Sequence, residues 1–120
     1  MILSSNVDEM IVNEIAAKAL VVAVENYKAV ESELKDAEFK YHKLVKFRQD
    51  YVDRFDNEMK DYVAEETHQG FRSFFSRLDV VIFKQQDIIT NLQRKVKIQH
   101  ELAQKCKKKC QLMDKENTVH

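Results

Sequence analysis

The chain has 120 residues, with 20 basic and 20 acidic side chains and no net charge. That length allows one domain, and a neutral chain lacks the basic excess that phosphate contacts require, which argues against nucleic acid as a partner. The absence of proline and the presence of one glycine leave long stretches with nothing to interrupt a helix.

At the N-terminus, Met1 is followed by Ile2 and Leu3 without the charged region of a signal peptide. The apolar stretch Ile15–Val24 contains Lys18 and falls short of the ~20 residues needed to span a bilayer. A cytoplasmic protein is expected. Ser5 and Asn6 are suitable N-caps, and Asn6 with Glu9 resembles a capping box. The first helix is predicted over about 7–64, roughly 85 Å at 1.5 Å per residue. The segment Glu65-Glu66-Thr67-His68-Gln69-Gly70 holds the sole glycine and is predicted to turn. The second helix is expected from about His68 or Phe71 to Lys115, with a fraying tail over 116–120.

Both predicted helices carry an apolar series with alternating steps of three and four, the a/d seam of a coiled coil. The first series runs from Leu20 and Ala23 through Leu34, Leu44 and Phe55 to Tyr62. The second runs from Phe71 through Leu78, Ile89 and Leu92 to Cys110 and Met113. Folding the chain back between Tyr62 and Phe71 pairs every member, each pair of residue numbers totalling 133: Tyr62 with Phe71, Phe55 with Leu78, Leu44 with Ile89. The expected fold is therefore all-α, one long antiparallel two-helix coiled-coil hairpin over residues 1–120. Residues 1–66 carry 9 basic and 15 acidic side chains, and the remainder 11 and 5, so opposite charge favours pairing the two halves. Arg48 opposite Gln85 is the polar layer best suited to fix register.

The edges of the seam carry more apolar surface than one hairpin hides. Phe74, Val81 and Ile88 take g positions on the second helix, and Phe47 takes one on the first, where it is expected beside Val81 and Ile88. Val80 and Phe83 point further outward, and Val45, Val52 and Met59 lie on the opposite edge. This excess is expected near the turn, and such a patch marks a partner site. The alternative is a third helix supplied by self-association.

Chemistry is sparse. Cys106 and Cys110 share the seam, with poor geometry for a disulfide and too few neighbouring ligands for a metal; they are expected to face Tyr27 and Ala23. His42, His68, His100 and His120 are scattered, and there is no Gly-rich phosphate loop, HExxH or G-x-S-x-G. Lys105, Lys107, Lys108 and Lys109 cluster without interleaved aromatics, so a solvated helix face is the preferred reading. No enzyme activity, cofactor, metal or small-molecule ligand is expected.

The stretch over residues 40–86 reads KYHKLVKFRQDYVDRFDNEM, a short polar turn, then GFRSFFSRLDVVIFKQQ. Leu44-x-x-Phe47-x-x-x-Tyr51 before the turn, and Phe71-x-x-Phe74-x-x-x-Leu78-x-x-Val81-Ile82-x-x-Gln85-Gln86 after it, resemble the FliJ family of the bacterial flagellar export apparatus. The resemblance implies a coiled-coil stalk similar to the central stalk of rotary ATP synthases. Its implied partners are a FliI-like export ATPase, a FliH-like stator, a FlhA-like export gate and export chaperones. It implies a place at the cytoplasmic face of the inner membrane and a role in flagellum biogenesis, hence motility and chemotaxis. It assigns gate contact to Leu44, Phe47, Tyr51, Phe74, Leu78, Val81 and Gln85. Val80, Phe83 and Ile88 extend the exposed edge beside them. The injectisome counterpart of the same stalk is the nearest alternative; a secretion chaperone or self-assembling coiled-coil adaptor is another. The chain is neutral where many members of the family are basic.

Overall fold

The computed structural model describes residues 2–58 and 64–119, with side chains over 6–58 and 64–115. It contains two helices, α1 (Ile2–Glu58) and α2 (Glu65–Val119), and no strand among the described residues. The two run antiparallel, and the fold is the all-α two-helix hairpin that the seams imply.

The helix ends differ from the sequence expectation. α1 starts at Ile2, so Ser5 and Asn6 lie within the helix and not at its start. It ends at Glu58, with Ala64 non-helical; Met59 and Tyr62 lie outside the described residues. The predicted turn over 65–70 is instead the start of α2. Ala64 accepts the amides of Thr67 at 3.0 Å and His68 at 3.3 Å, which closes the first turn of that helix. Glu65 and Glu66 fall where the helix dipole favours negative charge. Gly70 carries no positive φ, and a helical glycine costs only ~1 kcal/mol against alanine. The acidic start therefore outweighs the glycine, and residues 65–70 are helical. At the other end α2 continues to Val119, through most of the tail expected to fray.

The chain forms two compact units. One comprises Met1–Glu33 with Leu92–His120. Its seam buries Ala23, Leu92 and Ala103, and Tyr27 packs on His100 with ring centroids 5.3 Å apart. A hydrogen bond to the Glu31 carboxylate holds the Tyr27 phenol above its usual pKa. The other unit is Leu34–Asn91, with Ala37 and Leu78 buried and six phenylalanine and tyrosine rings in mutual contact. In both, every described seam residue except Glu58 is buried or half-buried. Among the described residues no large side chain is fully enclosed, because one helix shields only one face of another.

The register within each unit is one heptad away from expectation. In the second unit Phe55 meets Phe71, not Leu78, and their numbers total 126 in place of 133. Arg48 bonds Asp79 where Gln85 was expected opposite, and Gln85 Nε2 donates to the Ala37 carbonyl at 3.0 Å. Glu58, expected against Phe75, is exposed, and Phe75 instead lies 6.1 Å from Phe55. In the first unit Cys106 shares a groove with Ala19, Val22 and Ala23, and Cys110 one with Ala16, Ala17 and Leu20; the expected partners of the two were Tyr27 and Ala23. Sliding a heptad seam by seven residues keeps every a and d position facing inward, so periodicity alone fits both registers equally. The connection decides between them: α2 begins earlier than expected, and the pairing moves with it.

Candidate protein-docking site

The richest site lies on the Leu34–Asn91 unit. Spacings of three and four place Phe47, Tyr51 and Phe55 along one side of α1, and Phe71, Phe74 and Phe75 along the facing side of α2. Tyr51 lies 4.6 Å from Phe74, Phe47 lies 4.7 Å from Tyr51, and Phe47 reaches Phe74 at 6.4 Å. Phe74 in turn meets Phe75 at 5.8 Å. Tilted and edge-to-face contacts of this kind add about 0.5–1.5 kcal/mol each beyond area burial. Tyr51, Thr67, Gly70, Phe71 and Phe74 line a shallow apolar hollow of about 280 Å³. A Cβ added at Gly70 would meet nothing within 4 Å, so bare backbone faces solvent there.

Cations frame the cluster. The Arg48 guanidinium lies over Phe75, 5.5 Å from the ring centroid, and its Nε donates to Asp79 Oδ1 at 2.6 Å. A second bond from Nη2 to Oδ2 at 3.3 Å makes the grip bidentate. That contact holds the Asp79 carboxyl below the usual carboxylate range and raises Arg48 above its own. Arg54 lies over Tyr51 at 5.6 Å. This arrangement presents a rigid apolar surface with fixed charge beside it. Among the described residues no three His, Cys, Asp or Glu side chains group as a metal site, and Cys106 and Cys110 are free.

The residues singled out from sequence separate into three kinds. Leu78 is buried, and Leu44, Tyr51 and Phe74 are half-buried in the packing. Gln85 is half-buried and committed to the Ala37 carbonyl. Phe47, Val80, Val81, Phe83 and Ile88 are exposed. The heptad shift corrects the place of Phe47, which packs on Phe74 and not beside Val81 and Ile88. Phe74, Val81 and Ile88 still follow one another at seven-residue steps, one stripe along the g edge of α2. On the opposite edge Val45 is exposed and Val52 half-buried.

Two features escaped the sequence reading. Phe39 is exposed, with the Lys43 ammonium 4.6 Å from its ring centroid; an aromatic at an outward heptad position was the available signal. The second concerns where the apolar excess lies. It was expected near the turn, yet among the described residues ten exposed large apolar side chains belong to the Met1–Glu33 and Leu92–His120 unit, against seven in the other. The signal was the apolar-rich stretch from Met10 to Val24, broken only by Asn13, Glu14 and Lys18, which reads as a failed membrane span when only hydropathy is considered. Among the described residues no helix is long and apolar enough to cross a membrane.

No solved structure and no curated protein matches the chain at significant similarity. A family model does, and it spans both helices and the aromatic cluster: with residues 11–115 matched to the flagellar FliJ protein, the chain belongs to the FliJ family.

Proposed function

We propose that this chain is a non-catalytic coiled-coil stalk of the flagellar protein-export machinery, joining the export ATPase ring to the export gate. Membership of the FliJ family supports a role connected with flagellar export. The observation that carries the finer reading is the exposed edge of Phe47, Val81 and Ile88, continuous with the packed rings of Tyr51 and Phe74. A rigid aromatic base with an exposed aliphatic border is the composition of a protein-docking hot spot. The gate is the proposed occupant of this edge, and the ATPase, its stator and export chaperones are the proposed partners elsewhere on the chain. Work at the cytoplasmic face of the membrane follows from that assignment.

The test is a binding titration of the chain against the cytoplasmic domain of the gate, beside an ATPase assay. Binding should weaken at least about tenfold in Val81→Asp, the order expected for a charge buried at an interface centre, while helicity stays unchanged. The ATPase alone should turn over more slowly than with the chain present. Unchanged affinity in Val81→Asp together with no stimulation of the ATPase would overturn the stalk assignment.

A further inference from the structure

The edge of the Leu34–Asn91 unit that carries Phe47, Phe74, Val81 and Ile88 is also its basic edge. Over 36–54 of α1 and 74–91 of α2, the g and c positions that form it hold Lys40, Lys43, Arg54, Arg77 and Lys84 against two carboxylates, Asp36 and Asp50. The e and b positions over the same residues hold Glu38 and Asp79 and no lysine or arginine. The five cations are exposed, and among the described residues none of them is in an ion pair. Arg54 lies 5.6 Å over Tyr51, whose ring is 4.6 Å from Phe74. Gln86 donates to the Tyr41 hydroxyl at 3.0 Å, which puts Lys40, the residue before Tyr41, level with the stretch between Val81 and Ile88. Arg77 follows Phe74 by three residues and Lys84 follows Val81 by three, on the outer side of the same stripe. Cations therefore border the apolar stripe on both sides, from α1 on one and from α2 on the other.

Charge identifies the occupant. A stripe that repeats every seven residues is a seam on which a further helix packs, and the charges flanking a seam select that helix. Both flanks here are basic, so the complement is a helix with an apolar seam and carboxylates on either side of it. A second copy of the chain, laid on this edge by a two-fold axis, would set one net positive edge against another. A lipid surface gains in proportion to the apolar area it takes up. On this edge only Phe47, Val81 and Ile88 are exposed apolar side chains, since Phe74 is committed to the ring cluster.

We propose that this edge takes an acidic amphipathic helix of its partner protein, with apolar side chains on Phe47, Val81 and Ile88 and carboxylates against Lys40, Arg54, Arg77 and Lys84. The inference rests on the gate-docking reading for the identity of the partner, and adds to it the chemistry of the segment that docks.

The experiment titrates the full chain with two ligands, so that the two readings fail separately. One is the cytoplasmic domain of the gate. The other is a fluorescent peptide of about three heptads, with leucine at a and d and glutamate at e and g; its twin with lysine at e and g is the control. The chain should bind the glutamate peptide at least about ten times more tightly than the lysine twin, and less tightly as salt rises. Lys40→Glu with Lys84→Glu should weaken both the glutamate peptide and the gate domain at least about tenfold, with circular dichroism unchanged because both residues are exposed. Lys46→Glu with Lys97→Glu, the same change of net charge away from this edge, should leave both affinities as they were. Gate binding that Val81→Asp weakens, but that salt and Lys40→Glu with Lys84→Glu do not, would leave the docking edge standing and overturn its acidic occupant. Binding of the glutamate peptide without the gate would support the acidic occupant and overturn the gate. Equal binding of the two peptides, or binding of neither, overturns the proposal. So does a chain that dimerises through Val81, or one that binds phosphatidylglycerol vesicles in place of the glutamate peptide.

Discussion

Phe55 packs edge-on against Phe71, with ring centroids 4.9 Å apart and ring planes at 70°. The two are the innermost described phenylalanines on either side of the connection, and their contact identifies the register of the unit that holds them. Moving one ring by a heptad would bring Phe55 to Leu78 and carry Arg48 away from Asp79.

Paired cysteines measure this register directly. In a background with Cys106→Ser and Cys110→Ser, Leu44→Cys with Ile82→Cys should form an intramolecular disulfide under mild oxidation. Leu44→Cys with Ile89→Cys should not, because a heptad separates them by roughly 10 Å along the helix axis and a disulfide bridges Cα atoms no more than about 7 Å apart. Non-reducing electrophoresis reads both. The opposite pattern would restore the pairing in which residue numbers total 133.

The seam, the antiparallel hairpin and the edge residues were legible because each follows from position in the heptad. The register was not. Periodicity defines pairing only to within a multiple of seven, and the choice rested on the connection, where the sole glycine misled. The contents of the aromatic site were legible as residues, but not as a cluster: Phe47 meets Phe74 only in the observed register. The exposed apolar side of α1 before Val24 was not read, because Asn13, Glu14 and Lys18 interrupt that run and hydropathy was weighed only against a membrane span.

Phe74 illustrates what the register changes. As an edge residue on a bare heptad wheel it would cost little to truncate. It contacts Phe47, Tyr51 and Phe75, and the Phe74→Ala change should destabilise by about 2 kcal/mol, less than a fully buried phenylalanine because it is half-exposed. Val81→Ala, at an exposed site without ring contacts, should stay within about 0.5 kcal/mol. Urea denaturation followed by circular dichroism separates them, and equal midpoints would contradict the packing role of Phe74.

The Arg48–Asp79 pair predicts a specific acid dependence. Asp79 is held below its ordinary value in the folded chain, so the folded state favours the carboxylate. The pair's contribution is present above the ordinary carboxylate range, about pH 4, and is lost as pH falls through the lower folded value. Arg48 is raised from an already high value and stays charged throughout. The melting temperature of the parent should therefore fall toward that of Asp79→Asn as the pH drops from 6 to 2. A constant gap between the two across that range would show that the pair is not titrating with Asp79.

Buried small residues set the spacing of the first unit. Ala23 and Ala103 are exposed by only 8% and 9%, one on each helix, at facing heptad positions. Enlarging one of a facing alanine pair forces the backbones apart, and Ala103→Leu should cost about 1–3 kcal/mol by overpacking. Ala29→Leu, on the exposed side of the same stretch, should be near neutral. Thermal melts of the two variants would show the difference, and a neutral Ala103→Leu would mean that the helices do not approach closely there.

Gly70 gives the most direct test of where the chain turns. In a turn with positive φ, an added Cβ would strain the backbone and destabilise. Here Gly70 is helical, has no positive φ, and has open space where the Cβ would go. Gly70→Ala should then stabilise by about 0.5–1 kcal/mol, through helix propensity and a more restricted unfolded chain. A raised denaturation midpoint with an unchanged urea dependence is the expected result. A lowered midpoint would return the turn to 65–70 and with it the register in which Phe55 faces Leu78. The same variant carries a second readout, because Gly70 lines the hollow with Tyr51 and Phe74. If a partner approaches that backbone closely, Gly70→Ala weakens its binding while strengthening the fold, a combination that a purely structural glycine cannot produce.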